Sequence, residues 1–167
     1  GTNVAWDFVE LPSQFLENWT WERDALNLFA AHYETGQQIP QEIFDKMIAA
    51  KNYNSAMFMN GQLSFGKIDL EIHHHFHKYD NMTVDQIDDL ILSDYRVPCS
   101  VKAPSILYDF GHLFSSPVGY AAGYYSYMWA NELEADAFTR FKKEGILNEK
   151  TGKEFRDKIL IWGDSKP

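Results

Sequence analysis

Glu10 and Glu17 lie seven residues apart, almost two helical turns, so in a helix both carboxylates project from one face. Leu11 and Phe15 border that face. A carboxylate beside an apolar stripe is costly to bury unless it is paired or bound to metal; the other reading is a boundary side chain that reaches solvent. A second candidate is the run Gly119-Tyr120-Ala121-Ala122-Gly123-Tyr124-Tyr125-Ser126-Tyr127. Its small residues let another surface approach closely, and Tyr124 and Tyr127, three apart, share a helix face. Phenolic hydroxyls so placed can donate to a developing oxyanion, or the run can be a tightly packed aromatic helix interface. His112 precedes it as a lone histidine, a residue type more often structural or solvated than functional.

The fourth candidate is the cluster His73, His74, His75 and His77. Consecutive helical residues point about 100° apart, so the four cannot close on one ion. Only His73 with His77, or Glu71 with His75, has i,i+4 spacing. A structural zinc site takes four ligands. The cluster reads as a solvated helix terminus, favourable beside the C-terminal dipole when protonated, with a self-sufficient metal site as the rival.

These residues need elements to hold them. Phe8, Leu11, Phe15, Trp19, Leu26, Phe29 and Ala30 follow a helical stripe, which predicts one long helix from Phe8 to about His32. Asp7 and Glu10 have the spacing of an N-cap and its box partner, and Pro12 sits early, where it costs least. Pro40 opens a second helix over 40–52, and a third runs over 55–73 despite Gly61 and Gly66. Residues 74–82 read as loop, and Thr83 with Gln86 starts a short helix to about Leu92. Val97–Val118 holds three prolines and no helical period, so it is expected to be loop-rich, with a short strand near Ser105–Phe110. Gly119 to about Phe141 is expected to be helical until Gly145 stops it, and Thr151 to about Trp162 forms the last helix. With no internal repeat or linker, the expectation is an all-α helical bundle with one irregular loop-rich stretch, forming a single domain over 1–167.

The 167 residues are 45% hydrophobic and 16% aromatic, which excludes a disordered tail. A net charge of −9 without a basic stripe argues against nucleic acid as a partner. No apolar run approaches the roughly 20 residues needed to span a membrane. Cys99 is the one cysteine, so no internal disulfide can form; it reads as a small apolar filler.

The segment from Asp7 to Trp19, DFVELPSQFLENW, resembles the thimet oligopeptidase family of zinc peptidases, and most closely its oligopeptidase A branch. HYETGQQIP at 32–40, DKMIAAKNY at 45–53, GYAAGYYSYMWA at 119–130 and ADAFTRFKKEGI at 135–146 are similar to that family in the same order, so the likeness covers nearly the whole chain. The resemblance implies a piece of a larger, mostly helical catalytic domain that cleaves short peptides in the cytoplasm with zinc-activated water. It implies Glu10 as a zinc ligand, Tyr120 and Tyr127 as catalytic tyrosines, one of them stabilising the oxyanion, and His112 and Tyr124 as substrate contacts. Glu17 is the inferred outer partner of the metal site. The family's HExxH motif, with two histidine ligands and the general base, is absent here and is expected upstream of Gly1; relatives also continue past the end. The chain is therefore expected to be truncated at both ends, inactive alone, and partnered by the missing part of the same protein. Ser115-Ser116-Pro117-Val118 makes the His112–Tyr120 spacing longer than in close relatives. The rival reading is a metal-free, all-helical interaction module.

Overall fold

The computed structural model describes residues 3–166. Among them the only pairing of extended backbone is an isolated bridge between Ala31 and Gln38, and everything else regular is helical. The α-helices are α1 (Leu11–Glu17), α2 (Arg23–Phe29), α3 (Gln41–Lys51), α4 (Ser55–His74), α5 (Val84–Leu92), α6 (Gly111–Phe114), α7 (Ser126–Glu144) and α8 (Glu149–Lys158). The chain divides into two compact units, one made of residues 1–55 and 129–167, the other of residues 56–128. No helix among the described residues is long and apolar enough to cross a membrane.

The first unit is organised by aromatic rings. Leu11, Phe15, Ala130, Phe138 and Phe141 are buried together, with Phe8, Trp19 and Phe155 packed against them. Phe15 stacks on Phe155 at 4.3 Å and meets Phe141 edge-on at 5.3 Å. Edge-on ring pairs of this kind add about 0.5–1.5 kcal/mol beyond the area they bury. The apolar stripe is thus real, but the long helix expected from Phe8 to His32 is not. After α1 the chain tightens into a 3-10 turn over Asn18–Trp21, and Glu22 is extended at φ −105°, ψ 124° before α2 begins. The sequence there competes with helix propagation. Asn18 Nδ2 donates back to the carbonyl of Phe15 (3.2 Å) and Thr20 Oγ1 to that of Glu17 (2.7 Å). Trp19 Nε1 reaches the carbonyl of Ile146 (2.8 Å), and Lys142 Nζ donates to both oxygens of Glu22 (2.8 and 3.0 Å). Asp7 is not the cap either: Glu10 is the N-cap residue, its side chain makes no capping bond, and Pro12 lies in the first turn.

In the second unit Ile68, Tyr79, Ile91, Leu92, Phe110, Leu113 and Tyr124 form the core. Helix α4 runs through both of its glycines, as expected. The capping box at Thr83 is present, its hydroxyl accepting from Gln86 N while the Gln86 side chain accepts from Thr83 N. The strand expected near Ser105–Phe110 is instead a 3-10 turn over Ile106–Asp109. Ser105 explains it: Oγ accepts from Leu107 N (3.2 Å), closing the turn, and donates to the buried Asp88 (2.8 Å), which Arg96 also pairs. Residues 119–125, expected to be helical, form turns, and α7 begins only at Ser126. It runs past Phe141 to Glu144, where Gly145 at φ +109° ends it. Helix α8 starts earlier than its apolar pattern suggested, because Asn148 Oδ1 caps the N–H groups of Lys150 and Thr151.

Candidate functional site

The turns over 119–125 build a site that a straight helix would not. Gly119 has φ +45°, and a Cβ there would sit 2.9 Å from the carbonyl oxygen of His112, so only glycine fits. Tyr120 N donates to that same carbonyl at 3.0 Å. Residues 115–118 loop out between the two, and the chain returns to His112. Three residues on, Ala122 takes φ +54°, a conformation that costs a non-glycine residue of order 1 kcal/mol.

Two reversals of backbone hand bring four side chains together. The His112 ring lies 5.3 Å from Tyr120, 5.5 Å from Tyr124 and 6.0 Å from Tyr127, centroid to centroid. Tyr120 and Tyr127 stack nearly parallel, 4° apart at 5.6 Å, and Tyr124 meets Tyr127 at 5.0 Å. Tyr124 and Tyr127 therefore do meet, although not through one helix face, since Tyr124 precedes α7. Tyr124 is buried among Phe65 and Phe110. Burial pushes its phenol above the usual tyrosine range, with Tyr127 adding to the effect, so at neutral pH it keeps its proton. Tyr120 and Tyr127 are half-buried, His112 is exposed, and Tyr125 turns outward.

What holds this arrangement is a residue that composition and spacing did not single out. Asp69 on α4 is fully buried. One carboxylate oxygen accepts from Ala122 N and the other from Tyr124 N, both at 2.8 Å. His73 Nδ1 lies 2.9 Å from the first oxygen. A buried carboxylate needs such partners, and the strained Ala122 persists because Asp69 fixes the amides at and beyond it. The available signal was a charge beside Ile68 and three to four residues from Phe65 and Ile72, on the side of α4 that the apolar residues bury.

The histidine cluster disperses. His73 turns to Asp69, His75 Nδ1 lies 3.2 Å from Glu71, and His77 lies 3.5 Å from Asp80. Glu71 is a hub: it accepts from Tyr79 (2.7 Å), Lys78 (3.2 Å) and Lys67 (3.3 Å). The Tyr79 hydroxyl, opposed by burial and helped by the two lysines, holds its carboxyl down at about 2.

Glu10 and Glu17 belong to the first unit. Glu10 is half-buried just before α1, its backbone already helical, and Ser13 Oγ donates to its Oε2 at 3.1 Å. Glu17 closes the same helix and is exposed. Buried Glu134 on α7 accepts from the Nδ2 groups of Asn18 and Asn131. Among the described residues no three His, Cys, Asp or Glu side chains converge as a metal-binding group.

The sequence profile of peptidase family M3 matches residues 1–167. The chain belongs to peptidase family M3. This M3 chain is 46% identical to the oligopeptidase A of Salmonella typhimurium over 165 residues, which is 99% of its own length and 24% of the relative's. Identity to the Escherichia coli oligopeptidase A is also 46%, again over 99% of this chain and 24% of that one. The saccharolysin of Saccharomyces cerevisiae is 37% identical over 96% of this chain and 22% of its own. The M3 chain thus spans about a quarter of the length of these relatives.

Proposed function

We propose that this chain is the C-terminal part of the catalytic domain of a zinc-dependent oligopeptidase that hydrolyses short peptides. Its support is the family membership together with the convergence of His112, Tyr120, Tyr124 and Tyr127, residues the family resemblance assigns to substrate and oxyanion. The chain's own described residues do not make up a zinc site, since no three candidate ligands converge. Glu10 is offered as one carboxylate ligand, with two histidines coming from outside the chain and Glu17 as its outer partner. Zinc, when bound, supplies a Lewis acid and an activated water.

The rest of the work falls to this chain's own residues. The stacked Tyr120 and Tyr127 present phenol hydroxyls, neutral donors suited to an oxygen that gains negative charge as the peptide carbonyl is attacked. Tyr124, kept protonated by burial, backs the ring of Tyr127. Exposed His112 offers a ring nitrogen to the bound peptide.

Glu10→Ala in the full-length parent tests the ligand role. Turnover of a quenched peptide and bound zinc should both fall to near zero, with helix content by circular dichroism unchanged; full zinc occupancy with full turnover would remove Glu10 from the site. In the same assay the isolated 167-residue chain should show no chelator-sensitive cleavage.

A further inference from the structure

We infer that Asp69 is the positioning residue of the tyrosine cluster: its buried carboxylate sets the backbone that aims Tyr120, Tyr124 and Tyr127. This rests on the peptidase reading above. Asp69 accepts from the backbone amides of Ala122 and Tyr124 and faces His73, so it acts on the tyrosines through the loop backbone. Two fastenings tie the loop to the rest of the unit. One is the close approach of Gly119 and Tyr120 to the carbonyl of His112. The other is Asp69, which takes one N–H on each of its two oxygens and so fixes both the distance and the angle between residues 122 and 124. A neutral amide cannot repeat this. It keeps one acceptor oxygen and turns an NH2 group towards an N–H donor. A hydrophobic residue would leave the buried Tyr124 amide orphaned and the part-buried Ala122 amide without its carboxylate partner. Carboxylate is therefore the group that fits, and its place on α4, whose neighbour Ile68 is fully buried, makes it a rigid reference for a segment that has no regular structure of its own.

Positioning makes a particular kinetic demand. If the phenols serve the transition state, a loop displaced by about 1 Å should lower kcat by about 10–100-fold with little change in KM. The test is Asp69→Asn in the full-length parent, read by steady-state kinetics and by hydrogen exchange of the peptide covering residues 119–127, followed by mass spectrometry. Ile91→Val, which trims the same core without touching the loop amides, is the control for general destabilisation. Asp69→Asn should raise exchange at Ala122 and Tyr124 at least about tenfold and cut kcat selectively; Ile91→Val should do neither. Unchanged exchange would overturn the anchoring. Faster exchange with kcat falling no further than in Ile91→Val would overturn the positioning role. Should Asp69→Asn fail to fold, Ala122→Pro deletes one anchored N–H, forbids the positive φ of the turn and leaves Asp69 in place. The same selective loss of kcat is expected there, and its absence overturns the inference. A wild-type parent that cleaves no peptide would sink the peptidase reading, while the exchange arm would still decide whether Asp69 holds the loop.

Discussion

Residues 71–80 and 119–127 of the second unit both carry a run of side chains suited to chemistry, and they behave in opposite ways. The histidines of the first run scatter onto three different carboxylates, Asp69, Glu71 and Asp80. The tyrosines of the second converge on His112. The difference lies in the backbone beneath. His73 and His74 end a regular helix, where consecutive side chains must fan out by about 100°. The tyrosines sit on two left-handed residues, Gly119 and Ala122, which turn the chain back on itself. Of these two runs, the one that converges is the one whose backbone departs from helical geometry and is held there by Asp69.

Removing a single hydroxyl should show the largest effect of this convergence. Tyr120→Phe and Tyr127→Phe keep the stacked rings, and at least one should lower kcat in the parent by about 10²–10³ with KM little changed. Outward-turned Tyr125→Phe is the control. Small and equal effects in all three would reduce the cluster to an aromatic interface. Gly119→Ala attacks the geometry instead. The new Cβ meets the His112 carbonyl oxygen at 2.9 Å on a backbone at φ +45°. Urea unfolding of the isolated chain should show a destabilisation of about 1–3 kcal/mol, and the nuclear Overhauser effect between the Tyr120 and His112 rings should vanish. A stability equal to wild type would mean that the turn is not strained as described.

The histidine run should respond chiefly to acid. Glu71 is held near 2 in the folded chain against an ordinary 4.5, so the folded state binds fewer protons than the unfolded one between those values. Its contribution is complete above about pH 4.5 and fades as the pH falls towards 2. Melting temperature followed from pH 6 to pH 2 should therefore drop less steeply in Glu71→Gln than in wild type, and identical slopes would remove Glu71 as the hub. The smallest effect belongs to His77, whose side chain is 90% exposed: His77→Ala should change stability by no more than about 0.5 kcal/mol. A larger loss would show that the run is not dispersed after all.

Apolar periodicity, with Pro40 and the Thr83–Gln86 spacing, determined the all-α character, helix α3 behind Pro40, the length of α4 and the capping box of α5. These depend on neighbours within one or two turns, and the residues concerned agree with one another. The same sequence named Glu10, Glu17, His112 and the tyrosines as candidates. It could not show that the helix expected from Phe8 to His32 breaks at Glu22, because beside the local bonds of Asn18 and Thr20 the groups that hold the break, Lys142 and Ile146, lie more than a hundred residues away. Nor could it show that residues 119–125 leave the helix, since alanine at Ala122 favours helix and only a carboxylate 53 residues earlier makes its left-handed turn worth adopting. Local preference is written in neighbouring residues; the shape of the tyrosine cluster is written in hydrogen bonds that close only when α4 is already in place.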